Sequence, residues 1–235
     1  QLNLNNLTLT LGSESSDLQV SSTLILDNSN ERVMTGVADF VSLASLEISD
    51  GGVISNGGTI NFSGGGQLSG TGKLDVSNST WTLGDNFTKT SGTLTISETN
   101  LELDEDLQPR NITLTSNEAL SFVTLNLNDN TLTLGSSTSN LTIQNDITFD
   151  VSTEGISTGK ADLVLDGALT ISDGKLKSTS GTISLQEGGK ISGTGELDFD
   201  NSTLVLADDF SSSGSLNISE TNLELDENIN PRNIT

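Results

Sequence analysis

Thr80-Trp81-Thr82-Leu83 opens a stretch that runs through Gly84-Asp85-Asn86-Phe87-Thr88-Lys89 and Thr93-Leu94-Thr95-Ile96-Ser97 to Asn100-Leu101-Glu102-Leu103. Trp81/Leu83, Leu94/Ile96 and Leu101/Leu103 each set two apolar residues two positions apart, with small or polar residues between them. A period of two marks a half-buried strand, whose alternate side chains face opposite ways. Helical spacing is sustained nowhere in the stretch, so it predicts short strands separated by corners.

Outward from this stretch the pairs recur in step. Ile60/Phe62, Trp81/Leu83, Leu101/Leu103, Leu120/Phe122 and Leu141/Ile143 follow one another at an interval close to twenty each time. Leu74/Val76, Leu94/Ile96, Ile112/Leu114 and Leu132/Leu134 keep nearly the same interval, slightly shorter between Leu94 and Ile112. A third track holds Leu24/Leu26, Leu46/Ile48, Leu68, Phe87, Leu107, Leu125/Leu127 and Ile147/Phe149. Three interleaved tracks with a common step of about twenty describe a coiling chain that lays three strands per turn onto the turn before. The expected fold is all-β, a three-sided parallel β-helix (β-solenoid). An up-and-down antiparallel barrel also alternates, but it gives no common step.

The whole pattern is itself doubled. Leu2-Asn3-Leu4-Asn5 returns as Leu125-Asn126-Leu127-Asn128, and Thr8-Leu9-Thr10-Leu11-Gly12-Ser13 as Thr131-Leu132-Thr133-Leu134-Gly135-Ser136, both at an offset of 123. After Phe210 the offset falls to 122, where Ser97-Glu98-Thr99-Asn100-Leu101 returns as Ser219-Glu220-Thr221-Asn222-Leu223. Residues 1–124 form a first repeat and 125–235 a second, truncated one, expected as one continuous rod. Six turns of about 20.4 residues fill a copy, and at roughly 4.8 Å per strand each copy would rise about 29 Å. Corners are supplied by Gly51-Gly52, Gly57-Gly58, Gly64-Gly65-Gly66 and Gly188-Gly189, with Pro109 and Pro231 each just before a strand.

Composition narrows the chemistry. In 235 residues there are 9 Lys plus Arg against 32 Asp plus Glu, a net charge of −23, which excludes nucleic-acid backbone binding. Cys, His and Tyr are absent and there is one Trp, so the usual nucleophiles, proton shuttles and soft metal ligands are missing. No apolar run approaches the roughly 20 residues of a membrane span, and Gln1 opens neither a signal peptide nor a lipidation motif. An exported protein with this sequence would have lost its targeting segment, and the chain has the look of a piece of a longer array.

Parallel solenoids that act on polysaccharides gather carboxylates and basic residues in one groove. Arg32, Lys73, Lys89, Arg110, Lys160, Lys175, Lys177, Lys190 and Arg232 show no such gathering in the sequence. Asp104-Glu105-Asp106 near Arg110 is the best acid and base group, but it returns as Asp226-Glu227-Asn228 near Arg232, which argues for a solvated acidic corner. Calcium could use acids two apart, Asp104/Asp106 or Asp198/Asp200, yet no recognisable calcium loop is present. No cofactor is expected. Thr8/Thr10, Thr93/Thr95, Thr113/Thr115 and Thr131/Thr133 would form outward ranks of the kind an ice-binding face uses, broken by Lys73/Asp75 and Glu196/Asp198; Thr is also simply a favourable outward strand residue. Sequons at Asn6, Asn61, Asn78, Asn86, Asn111, Asn140, Asn201, Asn217 and Asn233 follow from a composition rich in Asn, Ser and Thr. Trp81 stands where the second copy has Leu204, which predicts a core position. No catalytic, cofactor-binding or metal residue is assigned.

Gly64-Gly65-Gly66-Gln67-Leu68-Ser69-Gly70-Thr71-Gly72-Lys73-Leu74, repeated as Glu187-Gly188-Gly189-Lys190-Ile191-Ser192-Gly193-Thr194-Gly195-Glu196-Leu197, resembles repeats of bacterial autotransporter passenger domains and filamentous-haemagglutinin-like adhesins. The resemblance implies a right-handed parallel β-helix, exported to the bacterial surface as a stalk, adhesin or extracellular fibre. The matched motif carries turns and strands and no chemistry of its own. The chain shows no translocator domain, secretion signal or binding lobe of such families.

The expected function is a structural, non-enzymatic segment of a long extracellular bacterial surface protein. An inward ladder including Leu83, Leu94, Leu103, Leu206, Leu216 and Leu225 would hold it stiff. Its expected partner is itself, by continuation of the array or by head-to-tail assembly. The competing expectation is an adhesive surface for a glycan, a host receptor or ice, concentrated where the copies diverge, at 28–39 against 152–162; polysaccharide cleavage ranks below both.

Overall fold

The computed structural model describes residues 2–105 and 108–225, and among them there is no helix. The chain divides into two compact units, one formed by residues 1–106 and 112–117, the other by 107–111 and 118–235.

The first unit has three parallel sheets. One stacks Thr8–Thr10, Arg32–Gly36, Gly52–Asn56, Lys73–Ser77 and Thr93–Ser97. A second includes Leu18–Val20, Phe40–Ser42, Thr59–Phe62, Thr80–Leu83 and Asn100–Leu103. The third includes Leu24–Leu26, Leu46–Ile48, Gly66–Leu68, Phe87–Lys89 and Asn111–Thr115. Register along the first sheet runs Thr8↔Arg32↔Gly52↔Lys73↔Thr93, one partner for each turn of the coil. The parallel solenoid expected from the three tracks is therefore present.

The second unit repeats the arrangement. Leu120–Phe122, Leu141–Ile143, Leu163–Leu165, Thr182–Leu185, Thr203–Leu206 and Asn222–Leu225 stack in one parallel sheet, with Leu120↔Leu141↔Leu163↔Ile183↔Leu204↔Leu223 in register. Ile147–Phe149, Leu169–Ile171, Gly189–Ile191 and Phe210–Ser212 form another. Thr131–Leu134, Gly155–Ser157, Lys175–Ser178, Glu196–Asp200 and Ser215–Ser219 form the third wall.

Alternation decides what is inside. Along Leu24–Leu26, Leu46–Ile48, Leu163–Leu165 and Leu169–Ile171 the first and third residues are buried and the middle one is not. The first unit fills its interior with rings. Trp81 is fully buried, edge-on to Phe62 at 6.0 Å and to Phe87 at 5.0 Å, and Phe62 meets Phe40 at 6.4 Å. Trp81 is thus a core residue, as its Leu204 counterpart implied.

The corner motif needs its glycines. Gly70 and Gly193, at φ of +58° and +56°, sit in the left-handed region, and a Cβ on either would strike the carbonyl oxygen of Ser49 or Ser172 on the turn below. Asn78 and Asn201 take the same backbone region at φ of +50° and +47°, which asparagine tolerates. These two sequon asparagines thereby hold equivalent corners.

Three expectations need correction. Ile112/Leu114 does not follow Leu94/Ile96; Leu114 pairs with Phe87, on the third track. Nor does Leu120/Phe122 follow Leu101/Leu103, since Leu120–Phe122 is the end strand of a sheet that does not include Asn100–Leu103. The acidic residues Asp104 and Glu105 and the exposed Pro109 stand between the strands Asn100–Leu103 and Asn111–Thr115, where charge and a missing N–H both disfavour a buried strand. That turn is therefore long, and the first copy is not six even turns. Leu107, the expected third-track residue there, lies outside the described residues. Second, Thr115 pairs with Thr88, so Thr113/Thr115 leaves the outward rank that was to join it to Thr93/Thr95. Third, Leu216 and Leu225 are 43% and 57% exposed and Leu94 is half-buried, because the outer edges of their strands carry no covering strand among the described residues; Leu83, Leu103 and Leu206 are inward as expected.

Candidate functional site

The strands Lys175–Ser178 and Glu196–Asp200 pair Lys175 with Glu196 and Lys177 with Asp198. Leu176, Ser178, Leu197 and Phe199 point inward, which forces Lys175, Lys177, Glu196, Asp198 and Asp200 onto the outer surface of one wall. The next strand adds Asn217, in register with Asp198.

The side chains close into one network. Lys175 Nζ lies 2.8 Å from Asp198 Oδ2 and 3.3 Å from Glu196 Oε1, and Lys177 Nζ lies 3.4 Å from the same Asp198 oxygen. Asn217 Nδ2 donates to Glu196 Oε1 at 2.5 Å. The hydrogen bond from Lys175 is the main cause that holds the Asp198 carboxyl below the ordinary aspartate value, against a smaller opposing effect of burial. The same bond to Asp198 chiefly raises the Lys175 ammonium above its ordinary value. Both shifts favour the charged forms, as in an ion pair. Beside the network lies a shallow hollow of about 610 Å³ lined by Lys177, Asp198, Asp200 and Asn217 among others.

This gathering was missed in the sequence. Lys175/Lys177 and Glu196/Asp198 are a whole turn apart along the chain, and only the register of adjacent turns makes them neighbours. The first copy offers Gly52/Ile54 and Lys73/Asp75 at the equivalent places, with a single Lys73–Asp75 pair at 3.6 Å. The basic residues therefore do gather around acids in the second unit.

Other sequence candidates land elsewhere. Asp104 is half-buried, Glu105 exposed and Arg110 half-buried, while Asp106 and the whole group Asp226, Glu227, Asn228 and Arg232 lie outside the described residues. Among the described residues no three acidic side chains converge on a cation position. Asp198 and Asp200 share an outward face, but Asp198 is held by two lysines. No helix among the described residues is long and apolar enough to cross a membrane.

The diverging segments 28–39 and 152–162 carry a shared structural element. Glu31 and Glu154, equivalent in the two copies, are both buried. Glu31 Oε2 accepts the Asp27 N–H at 3.3 Å, and Glu154 Oε2 accepts the Asp150 N–H at 2.8 Å, so each carboxylate closes its own five-residue turn. At the far end Asp39 and Asp162 accept the N–H of Thr59 and Thr182 on the next turn, at 2.6 and 2.8 Å. A buried hydroxyl stack also repeats: Ser55 meets Ser79 at 3.0 Å, and Ser178 meets Ser202 at 2.9 Å. Equal spacing in both copies was the available signal for all three.

No family model, curated protein or solved structure matches the chain.

Proposed function

We propose that this chain is a structural, non-catalytic segment of a long extracellular bacterial surface protein or filament, acting as a stiff β-solenoid spacer and working without a cofactor. The observation that carries the reading is the repeated interior: in both units an aliphatic ladder, a buried serine pair and a carboxylate-closed turn recur at the same offset while outward residues change. Within each unit successive described turns are tied by parallel strand pairing on three walls, so separating them breaks several hydrogen bonds at once. The charge of −23 keeps such surfaces from clumping. The resemblance of the Ser-Gly-Thr-Gly repeats to exported adhesin stalks supports the location.

Single-molecule extension of the tethered chain tests the mechanical part, with stepwise lengthening in turns at high force expected. Continuous lengthening at low force would refute it. Antibodies against the chain should label intact source cells; labelling only after lysis would refute the surface location.

A second reading is favoured by the Lys175 network and its hollow, which the first unit reduces to one Lys73–Asp75 pair: an adhesive patch for a carboxylated or hydroxyl-rich glycan. A glycan array probed with the chain and with Lys177→Ala checks it, and binding lost in the variant is the supporting result.

A further inference from the structure

Lys89 is the only basic side chain buried among the described residues, at 2% exposure. It ends the strand Phe87–Lys89, whose first and third side chains face inward, and its register partner on the turn below is Leu68. Lysine is almost never buried so completely unless a partner holds it, because the ammonium loses its water there. The coil itself does not demand lysine at this place: the second copy has Ser212 in the same register, opposite Ile191.

On the next turn of the same wall, Leu114 pairs with Phe87 and Thr115 with Thr88. Two residues further on stands Asn117, exposed, with its carboxamide turned back toward the lysine: Lys89 Nζ donates to Asn117 Oδ1 at 2.6 Å. With a carbonyl length of about 1.23 Å, Nζ then lies about 2.9–3.8 Å from Asn117 Cγ for angles at the oxygen between about 90° and about 180°. That range spans the separation of about 3–3.5 Å at which positioned groups react. Both residues belong to the first unit.

We propose that Lys89 and Asn117 are a site of covalent self-modification, joined by an amide bond between the lysine Nζ and the asparagine Cγ. The uncharged amine adds to Cγ, the Cγ–Nδ2 bond breaks, and one hydrogen passes from Nζ to Nδ2, which leaves as ammonia. Atoms balance without an oxidant, a reductant or any other co-reactant. Because Asn117 is exposed, water can carry the hydrogen across and remove the ammonia, and that removal makes the step one-way. Holding the two groups in contact stands in for effective concentrations of about 10⁵–10⁸ M in well-oriented cases, and the step need occur only once in each chain. The new bond closes a loop across 28 positions that contains the long turn between Leu103 and Asn111. A closed loop cannot be drawn out under load, so the bond secures a turn that departs from the common spacing.

Mass spectrometry of the intact chain tests this, after the folded protein has been held at about pH 9, where more amine is uncharged, and then denatured. The expected mass is that of the sequence less one ammonia. Trypsin should then fail to cut after Lys89 and should release 74–110 joined to 111–160. Ammonia lost elsewhere, by ring closure of Gln1 or of Asn56 on Gly57, joins no peptides and is thereby told apart. Asn117→Ala and Lys89→Arg should both keep the full mass at this site and give separate peptides. Asn117 is exposed, so its variant folds, and circular dichroism checks the two proteins. Separate peptides with free cleavage after Lys89 in the parent chain would mean a hydrogen bond only and would overturn the proposal; so would joined peptides that persist in Asn117→Ala. Neither result touches the spacer reading, which stands on the extension experiment.

Discussion

Replacing Trp81 by leucine is the most informative single perturbation, because the second copy already carries Leu204 at that place. Trp81 is fully buried and its ring meets Phe62 at 6.0 Å and 76° and Phe87 at 5.0 Å and 87°. The second copy supports Leu204 with Leu185 in place of Phe62, so the leucine there has a neighbourhood of its own size. In the first unit leucine would leave roughly 60 Å³ unfilled, about 1.5 kcal/mol at ~24 cal/mol per Å³. Two edge-to-face contacts at about 0.5–1.5 kcal/mol each raise the expected loss to about 2.5–4.5 kcal/mol. Trp81→Ala should cost no less. The assay is urea unfolding followed by far-ultraviolet circular dichroism, since the only tryptophan is the one removed; in the parent chain that tryptophan's emission should report the first unit alone. A loss under about 1 kcal/mol would mean that the interior accepts leucine without ring packing, and the account of an aromatic-filled first unit would fail.

Ser79→Ala should cost about 1–3 kcal/mol by stranding the buried Ser55 hydroxyl, while the pair Ser55→Ala with Ser79→Ala should cost less than the single change; urea midpoints of the three variants decide it. Gly70→Ala should lose about 1–3 kcal/mol because φ is +58° and the Ser49 carbonyl stands in the way, whereas Gly12→Ala, which meets nothing within 4 Å, should stay within about 0.5 kcal/mol of the parent. Asp198 sits below its ordinary value, so its contribution is present above about pH 4 and is lost as pH falls through the lowered value. Lys175 sits above its own, so its contribution is full below about pH 10 and is lost as pH rises through the raised value. Between those limits Asp198→Asn should cost at most about 1 kcal/mol, less in high salt, since these side chains are a quarter to a half exposed; a thermal midpoint unmoved by salt in both proteins would refute the ionic account.

The fold was legible because its signal is redundant. The spacing of Trp81/Leu83 and Leu101/Leu103 is repeated on every turn and again in the second copy, so one irregular turn could not hide it. That same reliance on spacing caused the error at Ile112/Leu114. The interval from Leu94 to Ile112 looked continuous, yet the acids at 104 and 105 and Pro109 make the chain travel further before it can re-enter a wall. Spacing counts positions, whereas a wall is joined only where backbone donors are present and the side chains can be buried. The Lys175 network was illegible for a different reason: ion pairs between turns join residues a whole coil apart, and which residues face each other depends on a register the composition does not carry.

Comparison between the copies separates the two kinds of information. Val53 and Ser55 face inward and return as Leu176 and Ser178, whereas Ile54 between them, which is only half-buried, returns as Lys177. The next strand behaves likewise, Leu74 returning as Leu197 while the outward Lys73 becomes Glu196. Inside, volume and hydroxyl pairing leave few acceptable residues, because a void or a stranded hydroxyl costs energy on every turn above and below. Outside, water accepts nearly anything that keeps strand geometry. A chain built in this way can change its surface charge wall by wall without disturbing the coil. Any partner that distinguishes the two units must therefore read outward residues such as those of the wall that holds Lys175, and a mutation among them should leave the stability of the coil nearly unchanged.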